Sequence, residues 1–195
     1  MFGFRANSKT KPPDRLDRLV RAIEAIGERD RRSVAEAAAV ERLREQGALA
    51  LHGICSRFVG SINTRLSTPE LILDPSEMAG NDFRPGLTCF FQINLRGRLL
   101  QFQFASTEEL TSRDDFRRPY VLSGSLRSFN QEALSQSCVD EQLLFYCPEP
   151  AEVNGAGVAG PDGARSAAWY YFDPRTHRSG PVGEEYLAET LERLL

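Results

Sequence analysis

The residues whose types and spacing could do chemistry fall into a few groups. His52 and Cys55 lie three apart, on one face of any helix that holds them, a spacing that could supply two metal ligands. Two further ligands would have to come from distant cysteines, and the simpler reading is a partly buried helix face carrying a small thiol. Asp173 and His177, with Cys138 or Cys147, are the types needed for an acid, a base and a nucleophile. Yet Asp173-Pro174-Arg175-Thr176-His177 reads as an exposed turn. The cysteines read as strand residues with no basic neighbour to lower their pKa. Glu108, Glu109, Asp114 and Asp115, followed by Arg117 and Arg118, hold paired carboxylates that could do acid/base work or bind a hard cation. They read as the solvated face of a short helix whose dipole suits acids first and bases last. No catalytic, cofactor-binding or metal-ligating residue is assigned, and no cofactor is expected.

Two surfaces remain as interaction candidates. Gln92, Asn94, Gln101 and Gln103 gather amides on one side of a strand pair, where they could read a polar ligand or a partner. Leu16, Leu19, Ile23 and Ile26 recur at 3-4-3 spacing, a single apolar stripe that one helix cannot bury by itself. It predicts self-association. The arginines from Arg15 to Arg44 are interleaved with Asp and Glu and free of aromatics, unlike a nucleic-acid footprint, so nucleic acid is not the expected partner. Gly155-Ala156-Gly157 and Gly160 to Gly163 have no strand-to-helix context and are not a dinucleotide fingerprint.

Composition bounds the rest. With 41% hydrophobic and 26% charged residues in 195, the chain is neither disordered nor fibrous, and one domain of ordinary size needs no disulfide or metal. No apolar run reaches the roughly 20 residues of a membrane span. Residues 1–66 carry 13 basic and 8 acidic side chains, a net +5; residues 67–195 carry 11 and 19, a net −8. Lys9 and Lys11 are the only lysines, and such arginine use points to a GC-rich bacterial genome. The four cysteines have no paired spacing, and Met1-Phe2-Gly3-Phe4-Arg5 is too short and polar for a signal peptide, which together predict a reducing, cytoplasmic setting.

The elements that must position these groups follow from period and punctuation. Residues 1–13 read as a flexible basic tail ending in Pro12-Pro13, after which Asp14 can cap a helix. Residues 14–48 form a helical arm. Ser33-Val34-Ala35-Glu36 is a capping box, so residues 14–66 hold either one long helix or two. Residues 49–195 form the globular part, where the period changes to two. Leu71-Ile72-Leu73 is a short strand. A hairpin follows with Gly97-Arg98 as its loop, Leu95 facing Leu100, Ile93 facing Phe102 and Phe91 facing Phe104, and with Asn94 opposite Gln101 and Gln92 opposite Gln103 on the other surface. Ser106-Thr107-Glu108-Glu109 opens a short helix to about Phe116. Strands are expected over 120–129, 139–147 and 167–172, a turn of helix near 130–137, a mobile loop over 148–166, and a final helix over 184–195. Consecutive strands without helical crossovers predict an α+β fold, a curved antiparallel sheet of about five or six strands packed by helices behind the N-terminal arm.

Trp169-Tyr170-Tyr171, with Gly180-Pro181-Val182 and Glu184-Glu185, resembles the opening of bacterial GYF-type domains, a family that binds proline-rich peptides. The resemblance covers only this stretch, and its function is not carried over. The order of elements also resembles the small dimeric secretion-chaperone architecture, an analogy of fold alone. The expectation is therefore a non-catalytic interaction or adaptor protein that self-associates through the arm. The alternatives are a small hydrolase-type enzyme with its site under the 148–166 loop, and nucleic-acid binding by the arm.

Overall fold

In the computed structural model, residues 14–113, 118–130, 139–147 and 167–195 are described. The stretch from Arg15 to Asn63 contains no proline and is rich in Ala, Glu and Arg, and it forms one uninterrupted helix, α1 (Arg15–Asn63). Asp14 starts it, accepting Arg15 N–H on Oδ1 at 2.6 Å and Arg18 N–H on its carbonyl at 3.1 Å. The capping box at Ser33 lies inside α1 and starts nothing, because the backbone before it is already helical. The question of one helix or two is answered as one.

Packing divides the chain into two compact units, 1–38 and 39–195. In the first, the described residues are helical and almost wholly exposed, with Glu28 paired to Arg31 and Arg32 on the polar surface. In the second, Val40, Arg44, Gly47, Ala48, Leu51, His52, Cys55, Phe58 and Val59 form the buried face of α1, at helical spacing.

The second unit is built on seven antiparallel strands in sequence order: β1 (Leu71–Asp74), β2 (Cys89–Leu95), β3 (Arg98–Ser106), β4 (Tyr120–Asn130), β5 (Asp140–Tyr146), β6 (Ala168–Phe172) and β7 (Ser179–Pro181). The fold is α+β, with a helical arm and an open sheet. The strand beyond those expected is β7, which holds only three residues. A nine-residue helix, α2 (Glu184–Glu192), closes the chain. Among the described residues no helix is long and apolar enough to cross a membrane.

One face of the sheet meets the helices. Phe91, Ile93, Leu100, Phe102, Phe104, Leu122, Leu126 and Leu143 are essentially inaccessible there. The contact with α1 is close at Gly47, where a Cβ would fall 2.6 Å from the Phe145 ring. The Trp169 indole N–H donates to the Gly47 carbonyl at 2.7 Å, so helix and sheet are joined by a hydrogen bond where side chains leave no room. On the same face α2 is tied down at Glu141. This carboxylate has 2% of its side chain exposed; it accepts the Tyr186 hydroxyl and an Arg193 N–H, each at 2.6 Å.

Two expectations are corrected. The hairpin loop is Arg96-Gly97, not Gly97-Arg98, and the register moves by two: Leu95 pairs with Arg98, Ile93 with Leu100, Phe91 with Phe102 and Cys89 with Phe104. Arg96 and Gly97 both have positive φ, 49° and 84°, the pattern that matches the twist of a two-residue hairpin. A shift of two keeps every side chain on its face, so the sorting of phenylalanines from amides survives. The second correction concerns residues 107–113, which are bends and a bridge rather than helix. The carbonyls of Thr107, Glu109 and Leu110 all accept from Arg44 Nη2, at 3.0, 2.7 and 3.3 Å, and the Thr107 hydroxyl donates to the Glu109 carbonyl. Oxygens that would have made a first helical turn are engaged elsewhere. The turn of helix near 130–137 falls mainly outside the described residues, as do the 1–13 tail, the 148–166 loop, Cys138, Asp114, Asp115 and Arg117.

Candidate interaction surfaces

The face of the sheet turned away from the helices is ordered by strand register into rows. The first row is Ile72, Asn94, Leu99 and Phe129. The next is Asp74, Gln92, Gln101, Arg127 and Asp140, and the third is Phe90, Gln103, Ser125, Gln142 and Phe172. The fourth is Ala105, Ser123, Leu144, Tyr170 and Pro181, followed by Tyr120, Tyr146 and Ala168. The amides singled out in the sequence therefore share this face, though not in the pairing expected. Gln92 stands opposite Gln101, Asn94 opposite Leu99 and Gln103 opposite Phe90.

Within the polar row the side chains satisfy one another. Gln101 Nε2 donates to Gln92 Oε1 at 3.2 Å, Gln92 Nε2 reaches Asp74 Oδ2 at 3.5 Å, and Arg127 pairs with Asp140 at 3.1 Å. Asn94 turns its Oδ1 to the Gly97 N–H at 2.9 Å and so braces the hairpin loop. Gln103 stays exposed.

The far side of this face is aromatic. Tyr120, Tyr146 and Tyr170 follow one another edge to face, with ring centroids 6.4 and 5.3 Å apart. Arg118 lies over two of the rings, its Cζ 5.2 Å from the Tyr146 centroid and 5.6 Å from that of Tyr170. Burial pushes the Tyr146 hydroxyl above the ordinary tyrosine range, against the opposite pull of the Arg118 charge. Alternation along the strand expected over 139–147 puts Leu144 and Tyr146 on one face. The sequence has no signal for Arg118, because Pro119 intervenes and the segment reads as a helix end.

The arm carries the other surface. Leu16, Leu19, Ile23 and Ile26 are 68%, 56%, 60% and 58% exposed, and Val20 and Val34 add to the same apolar population.

The remaining chemistry-bearing residues are put to structural use. His52 is buried; its Nε2 donates to the Pro75 carbonyl at 2.9 Å and its ring meets Phe91 edge-on. Cys55 is fully buried on α1, and desolvation drives its pKa far up, away from thiolate chemistry. Cys147 is also raised by burial, with Arg44 pulling the other way. Asp173 accepts the Thr176 hydroxyl at 2.7 Å and the Arg175 N–H at 2.8 Å, which hold its carboxyl below the usual range and close the turn. His177 lies beside the Phe172 ring, in a backbone conformation of positive φ. Among the described residues, no group of three or more His, Cys, Asp or Glu is placed to hold a metal ion.

Comparison of the chain with protein-family models, with curated proteins and with solved structures gives no match.

Proposed function

We propose that this chain is a non-catalytic protein-interaction or adaptor protein that self-associates through the apolar stripe of α1. The observation that supports the reading is the exposure of Leu16, Leu19, Ile23 and Ile26, more than half of each side chain, along one helical face. Taking a Leu or Ile fully out of water stabilises by about 1.5–3 kcal/mol, so the exposed part of each is worth roughly 1–2 kcal/mol. Over two chains this comes to about 8–16 kcal/mol, which exceeds the low end of the association cost of about 4–15 kcal/mol. The free thiols Cys55, Cys89 and Cys147 fit a cytoplasmic setting.

The test is sedimentation over a range of concentrations, on the full chain and on Leu19→Asn/Ile23→Asn. The wild type should associate reversibly and the variant should stay monomeric with an unchanged thermal midpoint. A wild type that is monomeric throughout would overturn the reading.

A further inference from the structure

We propose that α1 of one chain pairs antiparallel with α1 of a second copy about a two-fold axis near Arg21, and that Asp30 selects this orientation. This rests on self-association through the stripe and adds the direction in which the two helices run.

The stripe reads the same in both directions. Leu16, Leu19, Ile23 and Ile26 are spaced 3-4-3, and 3-4-3 is also the spacing from Ile26 back to Leu16. A second copy turned end for end therefore meets the stripe layer by layer. Leu16 lies against the partner's Ile26 and Leu19 against the partner's Ile23, and two-fold symmetry makes each contact occur twice. Val20, 53% exposed, flanks the stripe at the axis and meets the partner's Val20. On the other flank Ala22 meets the partner's Ala22 and lets the helices approach. In a parallel pair Val20 would lie beside the partner's Arg15 instead.

The next residues in the same seam decide between the two directions. Continued at heptad spacing, the stripe runs on to Asp30 and Ser33, both exposed and both inside the uninterrupted helix. Two parallel helices in register would hold Asp30 against the partner's Asp30, a like-charge pair drawn out of water, which opposes association. End for end, position 30 lies opposite position 12 of the partner, ahead of the Asp14 that starts α1. Asp30 is then opposed by no seam residue of α1, and all four apolar layers are used before the first charge is reached. The cost is Arg15 beside the partner's Arg29 at either end, at exposed positions where salt screens the pair.

The experiment is thiol oxidation of the full chain at concentrations where sedimentation shows association. It uses Leu16→Cys, Ile26→Cys and an equimolar mixture of the two, with the wild type as control for the native thiols. These are the end layers, so Leu19 and Ile23 still hold the pair. Positions 16 and 26 differ by ten residues. In an antiparallel pair two identical thiols therefore lie at least about 15 Å apart, at a rise of about 1.5 Å per residue, beyond the roughly 7 Å between Cα atoms that a disulfide spans. The mixture should give a covalent dimer, and each variant alone should give none above the wild-type control. Asp30→Asn should leave the association constant unchanged, because nothing in the partner's seam meets that position. Should a cysteine variant fail to associate, Asp30→Asn decides alone. A covalent dimer from either variant by itself, none from the mixture, or tighter association of Asp30→Asn overturns the orientation while self-association stands. A wild type that stays monomeric overturns both.

Discussion

Phe102 and Gln101 are neighbours on β3 with opposite fates. Phe102 is fully buried, stacked on Phe91 with centroids 4.9 Å apart, whereas Gln101 is half-exposed and bonded to Gln92. Phe102→Ala should cost about 3–5 kcal/mol, a large share of a net stability of about 5–15 kcal/mol, and should lower the thermal midpoint severely. Gln101→Ala should hardly move it. Comparable losses in the two variants would mean that the amide face is covered by a partner. A second prediction belongs to Tyr186. Burial, and then the Glu141 carboxylate that accepts its hydrogen bond, hold its pKa far above the ordinary value. A group raised on folding adds stability that is complete below its unfolded pKa and is lost as pH climbs beyond it. Stability should therefore fall with a steeper slope above about pH 10, the unfolded tyrosine value. Denaturant titrations of the wild type and Tyr186→Phe should show that slope flattened in the variant, which lacks the ionisable hydroxyl. At this scale the sequence was legible where side-chain type alone decides the face, as in the phenylalanines and amides of the hairpin. It was silent where a role depends on a distant partner: nothing local says that Glu141 will meet Tyr186 and Arg193, or that Arg118 will rest on two tyrosines.

The elements show how such distant partners override local signals. The capping-box pattern at residues 106–109 predicts a helix, but Arg44 of α1 gathers the carbonyls of Thr107, Glu109 and Leu110, and the segment is a turn. In the hairpin, alternation fixes the face of each residue and leaves even-numbered slips of register to the loop, where Arg96 and Gly97 take positive φ. The sheet edge at β1 depends on a comparable contact. Asn63, at the end of α1, accepts the Glu70 and Leu71 N–H groups on Oδ1, both at 3.1 Å, and donates from Nδ2 to the Leu71 carbonyl at 2.8 Å. Its amide stands in for a missing neighbouring strand, and an edge so engaged is closed to strand addition there. Hydrogen exchange at the Glu70 and Leu71 amides should speed up in Asn63→Ala. It should stay slow in Asn63→Asp, which keeps the acceptor and loses only the donor. Equal protection in all three proteins would mean that the amide contributes nothing to the edge.

At the scale of the whole molecule, one helix serves two units under different physical conditions. From Val40 to Val59, α1 is held by a buried face that includes Ala48, Leu51, Cys55 and Phe58. From Arg15 to Ala38 its large apolar residues are exposed, and the helix there rests on propensity and on surface pairs such as Glu28 with Arg31 and Arg32, worth about 0.3–0.5 kcal/mol each. The packed part of α1 supplies the nucleus on which the arm can propagate, but most helical stability in proteins comes from packing of an apolar face, which the arm lacks within one chain. If the stripe is covered by a second copy, protection of the arm is a mass-action quantity and must rise with protein concentration, while that of the body must not. Hydrogen exchange measured across a concentration series should therefore show amides between Arg18 and Ala38 slowing as the protein is concentrated, with those from Leu51 to Val59 constant throughout. In Leu19→Asn/Ile23→Asn the arm should exchange fast at every concentration and the body as in the wild type. Slow exchange in the arm that is independent of concentration and survives the double substitution would show that the helix is stable without a partner, and self-association through the stripe would lose its physical ground.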